Sequence, residues 1–226
     1  MYKTEGIILA GEKIGESDIM LSVFTQDFGK MFCVAQGVRK NDSCLRSILQ
    51  IGAHINFQFV ALRSGRFRLT SPVLISLYPR GLARVSALPV FLYSLGLCNR
   101  IVLEGERDTR LWRFMIQWAE HISHDEAIRF AEDTRNQSIR ETSALIGDAF
   151  SMDIFSRAHL WFLGNFLVIL GHVSAEDERY FSKSFSSFVA DGYSVIAREK
   201  REKIERAYVR YCGVSLANYD GRAHML

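Results

Sequence analysis

Ile19-Met20-Leu21-Ser22-Val23-Phe24-Thr25-Gln26-Asp27-Phe28-Gly29-Lys30-Met31-Phe32-Cys33-Val34-Ala35 decides the fold class. Two runs rich in β-branched and aromatic residues flank Asp27-Phe28-Gly29-Lys30, a hairpin-turn tetrapeptide, so the stretch reads as a strand and its return. Upstream, Gly6–Leu9 opens a strand and Gly11–Gly15 reads as a bend. Downstream, Ile55, Phe57 and Phe59 alternate with Asn56, Gln58 and Val60, Arg63-Ser64-Gly65-Arg66 turns the chain, and Phe67 and Leu69 alternate with Arg66, Arg68 and Thr70. The longer connection Gln36–Gly52 holds Ser43–Leu49, enough for one or two helical turns. Three strands, a helical connector and a closing hairpin predict a five-stranded, partly open Greek-key barrel over residues 1–80, the oligonucleotide/oligosaccharide-binding (OB) fold. An SH3-like barrel fits the same pattern.

Past Tyr78-Pro79-Arg80-Gly81 the apolar period changes from two to 3.6. Pro89 suits the first turn of a helix reaching about Leu103, and Asp108 suits the cap of the next, with Leu111, Met115, Trp118 and Ile122 on one face. Ser138–Phe150 and Asp153–Gly171 read as further helices, the latter stopped by Gly171. Ser174-Ala175-Glu176-Asp177 resembles a capping box, the helix behind it ends at Gly192, and a last helix covers about Val195–Tyr211. The expected architecture is thus α+β and multidomain: an N-terminal five-stranded OB-fold β-barrel (1–80) followed by an all-α helical domain (81–226).

The chain has 226 residues, of which 48% are hydrophobic, enough to bury a core and too apolar for a disordered tail. Residues 1–80 hold ten Lys/Arg against six Asp/Glu, whereas residues 81–226 hold eighteen against nineteen. The excess positive charge therefore lies in the barrel segment, the electrostatic footprint of a polyanion-binding module. Cys33, Cys44, Cys98 and Cys212 are scattered and form no CxxC pair, as expected of reduced thiols in a cytoplasmic protein. No secretion signal opens the sequence, and the apolar runs Leu88–Leu97 and Trp161–Leu170 fall short of the roughly 20 residues a membrane helix needs, so no membrane association is expected.

No catalytic set emerges. His121 and His124 form an HxxH pair beside Asp125 and Glu126, but without a third ligand they read as solvated side chains, so neither a metal nor another cofactor is expected. Both phosphate-cradling patterns, GxxxxGK[ST] and GxGxxG, are missing. Ser17-Asp18 reads as a strand-entry pair, because no histidine nearby completes a nucleophilic relay. Trp112, Phe114 and Trp118 read as core, and Arg198-Glu199-Lys200-Arg201-Glu202-Lys203 as a solvated helix face.

Tyr2-Lys3-Thr4-Glu5-Gly6-Ile7-Ile8-Leu9, then Gly15-Glu16-Ser17-Asp18, Phe24-Thr25, Gly29-Lys30 and Gly37-Val38-Arg39-Lys40, followed by Ser43 and Leu49-Gln50, resemble in order and spacing the start of the RecO family of bacterial recombination mediators. A weaker likeness runs through Phe155–Gly171, similar to that family's leucine-rich helix. The resemblance implies a non-catalytic protein that binds single- and double-stranded DNA and anneals complementary strands. It implies that, with the partner RecR, the protein helps load RecA onto DNA coated by the single-stranded-DNA-binding protein. Many members carry a four-cysteine zinc site after the leucine-rich helix; here Gly171-His172-Val173-Ser174-Ala175-Glu176 follows, so the likeness is to the zinc-less branch.

The residues themselves point the same way. Lys30, Arg39, Lys40, Arg46, Arg63, Arg66 and Arg68 fall in turns or on the outward phase of the expected strands, where cations track a phosphate backbone without reading sequence. In the helical part, the Phe155–Leu170 face and that of Phe181, Phe185 and Phe188, flanked by Arg157, Arg179 and Lys183, offer a groove for the C-terminal tail of the coat protein. Two other readings share the pattern: an OB-type module for RNA or protein, and a metal-dependent nuclease.

Overall fold

A computed structural model describes residues 1–63, 65–78, 87–124, 159 and 161–172. Five strands, β1 (Tyr2–Ile14), β2 (Asp18–Thr25), β3 (Gly29–Ala35), β4 (Ala53–Ala61) and β5 (Phe67–Leu77), close a barrel in the order β1-β2-β3-β5-β4. With the helical turn α1 (Leu45–Ile48) between β3 and β4, this is the OB fold, and every regular element described after it is helical. One expectation needs correcting. Gly11–Gly15 is no bend: β1 runs on to Ile14, paired to Asp18, and its irregularity is a bulge between Ile8 and Ala10. A thirteen-residue strand results because β1 serves two partners, β4 along its first half (Tyr2↔Phe59 to Ile7↔His54) and β2 along its second (Gly6↔Thr25 to Ile14↔Asp18).

Strand alternation separates an inner from an outer face. Ile8, Leu21, Val23, Met31, Cys33, Ile55, Phe57, Phe59 and Leu69 fill the interior, and Val38 and Leu49 join them with Leu45 and Ile48 of α1 packed alongside. Burial pushes the Cys33 thiol up to about 12, which makes it an inert hydrophobe at neutral pH. Of the outer-phase residues, the paired Ile7 and Phe24 are completely buried. Phe24 meets the ring of Trp112 at 6.0 Å, on the helix α3 (Thr109–His124), and His54 sets its ring edge to the same indole at 5.8 Å.

The helix α2 (Ala87–Ile101) packs Phe91 against Gly52 and the Tyr78 ring, and near its end Asn99 bonds to the barrel. Asn99 accepts a hydrogen bond from Ser22 Oγ at its side-chain Oδ1 (2.6 Å) and one from Lys30 Nζ at its main-chain oxygen (2.7 Å). Asp108 caps α3, its Oδ1 accepting the Leu111 N–H at 2.9 Å, and Leu111, Met115, Trp118 and Ile122 are all buried along the expected face. Trp118 donates its indole N–H to Ser94 Oγ of α2, at 2.9 Å. The barrel and Phe91–Ser123 fall in one compact unit.

The described residues 161–172 belong to a second unit, and there Trp161, Phe162, Leu163, Phe166 and Leu167 are buried. Their helix ends as a Schellman motif at Gly171 (φ +76°): the Gly171 N–H reaches the Val168 oxygen at 3.0 Å and the His172 N–H the Leu167 oxygen at 2.9 Å. The stretches expected to be helical at 138–150, 174–192 and 195–211, and the groove formed with Arg157, Arg179 and Lys183, lie outside the described residues. No helix among the described residues is long and apolar enough to cross a membrane.

Candidate nucleic-acid interface

Chain geometry gathers three cations where β3 leaves the barrel. Gly37 adopts φ +68°, a left-handed conformation that costs a side-chain-bearing residue energy, and the chain doubles back over the β1–β2 turn. The Gly37 N–H donates to Asp18 Oδ1 (2.9 Å), which also accepts the Ser17 hydroxyl (2.9 Å). The Arg39 N–H donates to the Ser17 oxygen (2.9 Å), and Arg39 Nη1 donates to the Gly15 oxygen (3.0 Å). Arg46, on α1, donates from Nη2 to the Arg39 oxygen (3.1 Å). Lys40 stands exposed beside them. The two guanidinium groups are thus oriented by one carbonyl oxygen each rather than neutralised by carboxylates of the described residues, so their charge stays available.

Among the described residues, Asp18 is the acid built into this arrangement. The Gly37 N–H, then the Ser17 hydroxyl and the charge of Lys40, hold its carboxyl below the usual carboxylate range.

A second group follows the seam between β3 and β5, a short parallel pairing of Cys33 with Phe67 and Val34 with Arg68. Arg68 is half-buried on the outer face between Val34 and Val60, its Nε without a hydrogen-bond partner among the described residues. Arg66 and Arg63 are exposed in the turn ahead of β5, which is closed by the Leu62 N–H donating to the Arg66 oxygen at 2.7 Å. Half-buried Met20, Phe32 and Val34 lie beside this seam on the outer face, Met20 paired with Val34 and Ser22 with Phe32.

Lys30 departs from the expectation of an outward, solvated cation. It is 7% exposed, and its ammonium is engaged by the Asn99 oxygen, with the Gly105 N–H donating in turn to the Lys30 oxygen (2.9 Å). Alternation places it on the correct side of the strand, but that side is covered by the chain's own helical segment. Arg39, Lys40 and Arg46 come together, Arg63, Arg66 and Arg68 follow the β3–β5 side, and Lys30 joins neither. Sequence reasoning missed the anchors of the basic loop. Asp18 was legible as a strand-entry residue, but its partner Gly37 is nineteen residues away and no spacing rule links them.

Residues 1–78 match the family described as "Recombination protein O N terminal". Similar curated proteins named "DNA repair protein RecO" include one from Geobacter metallireducens, 28% identical over 126 residues, which are 56% of this chain and 51% of that protein. Another, from Alkaliphilus metalliredigens, is 32% identical over 116 residues, 51% of this chain and 46% of its own length. A third, from Streptomyces griseus, is 33% identical over 61 residues, 27% and 25% of the two chains. The matched part spans about half the length of the first two. The barrel strands, the Gly15–Asp18 turn and the Gly37–Lys40 loop all lie within the matched residues, so it is the N-terminal barrel of this chain that is similar to the N-terminal domain of the RecO family.

Proposed function

We propose that this chain is a non-enzymatic DNA repair and recombination mediator of the cytoplasm, associated with the nucleoid. It binds single- and double-stranded DNA, anneals complementary strands and, with RecR, helps load RecA onto DNA coated by the single-stranded-DNA-binding protein, whose C-terminal tail it engages. Neither cofactor nor metal takes part. The observation that carries this reading is the convergence of Arg39, Lys40 and Arg46 on one loop, with both guanidinium groups oriented by backbone oxygens. Such cations release condensed counterions from phosphates of any sequence. Annealing requires this kind of binding, because strands held by their phosphates keep their base edges free to pair. Arg63, Arg66 and Arg68 extend the phosphate path along the β3–β5 side, whereas Lys30 serves the docking of α2 instead.

The test reverses charge in the loop. Arg39→Glu with Lys40→Glu should abolish annealing, and the salt-dependence slope on a single strand should fall by roughly 0.7 for every phosphate no longer neutralised. Arg198→Glu with Lys200→Glu, an equally basic pair, is the control and should anneal normally. Fluorescence annealing of labelled complementary strands, bare and coated with the single-stranded-DNA-binding protein, reads the outcome. A fully active Arg39/Lys40 variant overturns the site, and tighter binding to RNA than to DNA overturns the assignment to DNA.

A further inference from the structure

A carboxylate inside a phosphate-binding loop works against binding, because it repels the ligand the neighbouring cations attract. Asp18 lies in that position. It borders the turn to which Arg39 is bonded, close enough to Lys40 to feel its charge. Its geometry supplies a reason for its presence. Segment 36–44 belongs to no strand or helix, and hydrogen bonds from Gly37 and Arg39 hold it to the β1–β2 turn. Arg39 gives two, its N–H to the Ser17 oxygen and its Nη1 to the Gly15 oxygen. Gly37 gives the other, from its N–H to Asp18 Oδ1, at the point where the backbone enters a left-handed conformation. Ser17 donates to the same oxygen and fixes the carboxylate's rotamer.

We propose that Asp18 is a positioning residue for DNA binding: its carboxylate clamps the Gly37–Lys40 segment onto the β1–β2 turn, so that Arg39 and Lys40 meet the phosphate backbone as one preorganised pair. The proposal rests on the reading of Arg39 and Lys40 as phosphate-binding residues. Preorganisation raises affinity by removing the ordering cost from the binding step. For binding to gain, the clamp must contribute more than its repulsion subtracts.

The sign of the effect separates a clamp from a bare charge. Asp18→Ala removes both the charge and the acceptor; Asp18→Asn removes the charge and keeps an oxygen that accepts the Gly37 N–H. With a clamp, Asp18→Ala binds a single-stranded oligonucleotide about three- to tenfold more weakly, the scale of one hydrogen bond, while Asp18→Asn binds as well as the parent or more tightly. Amide exchange at Gly37 should accelerate in Asp18→Ala and not in Asp18→Asn. In the Arg39→Glu, Lys40→Glu background, Asp18→Ala should change affinity no further. If Asp18→Ala binds as tightly as the parent or more tightly, the clamp is overturned. Should Asp18→Ala not fold, Asp18→Glu, which keeps the charge but displaces the acceptor by a methylene, decides: weaker binding supports the clamp and unchanged binding overturns it. An Arg39/Lys40 variant that binds DNA like the parent sinks the phosphate-binding reading instead, so the two failures are distinct.

Discussion

Lys30 follows Gly29 and precedes the inward-facing Met31, so it belongs to the outer phase of β3, as the alternation implies. An outer phase is not the same as solvent. The main-chain oxygen of Asn99 meets the ammonium at 2.7 Å, and the ring of Phe32 lies 5.8 Å from it. Replacing Lys30 by Met keeps the apolar stem and takes the ammonium donor from the Asn99 oxygen, a loss of about 1–3 kcal/mol on the scale of an unsatisfied buried group. Urea unfolding of Lys30→Met should show that loss, and the salt slope of DNA binding should match the parent. A lowered slope would mean that Lys30 reaches phosphate after all. Alternation reports which side of a strand a residue takes and is silent about what packs there. For that reason six cations of the candidate set were legible as exposed or half-exposed, and the seventh was not.

Among the elements, α3 shows how far a single segment is determined by its own sequence. Asp108 stands one residue ahead of the helix, accepts the Leu111 N–H, and starts a run whose apolar residues recur every three or four positions. Asp108→Ala should cost about 0.5–2 kcal/mol, the usual range for removing such a cap, measurable as a lower midpoint in thermal or urea unfolding. A variant as stable as the parent would show that tertiary packing alone holds the first turn. The stop at Gly171 was legible for the same reason, since helix ends are written in local residues. The course of β1 was not. Gly11 and Gly15 bracket a polar stretch that reads locally as a bend, yet pairing with β2 extends the strand to Ile14, and only the neighbour's register decides the matter. The same limit applies to the basic loop, whose cations are plain in the sequence while the turn that anchors them is supplied by a different part of the chain.

On the scale of the molecule, the change of period near Pro79 marks where strands give way to helices, and packing carries on across it. Phe24, on the outside of the barrel, is completely buried with Trp112 of α3 beside it, and Ser22 and Lys30 find their partner in Asn99 of α2. A chain ending at residue 80 would expose that face. It should be markedly less stable in urea or self-associate on gel filtration, whereas a chain ending at residue 124 should stay monomeric and unfold cooperatively. Equal behaviour of the two would show that the barrel stands alone. The packing of Phe24 on Trp112 also sets a clock. Eighty-eight residues separate the two rings along the chain, so at about 5–20 residues per second a newly synthesised β2 waits roughly 4 to 18 s for its cover to be made. A hairpin such as β2–β3 forms in about 1–10 μs. The barrel's inner face can close once β5 is complete at residue 77, before Trp112 is made, so during translation the apolar outer face around Phe24 stays uncovered after the barrel has formed.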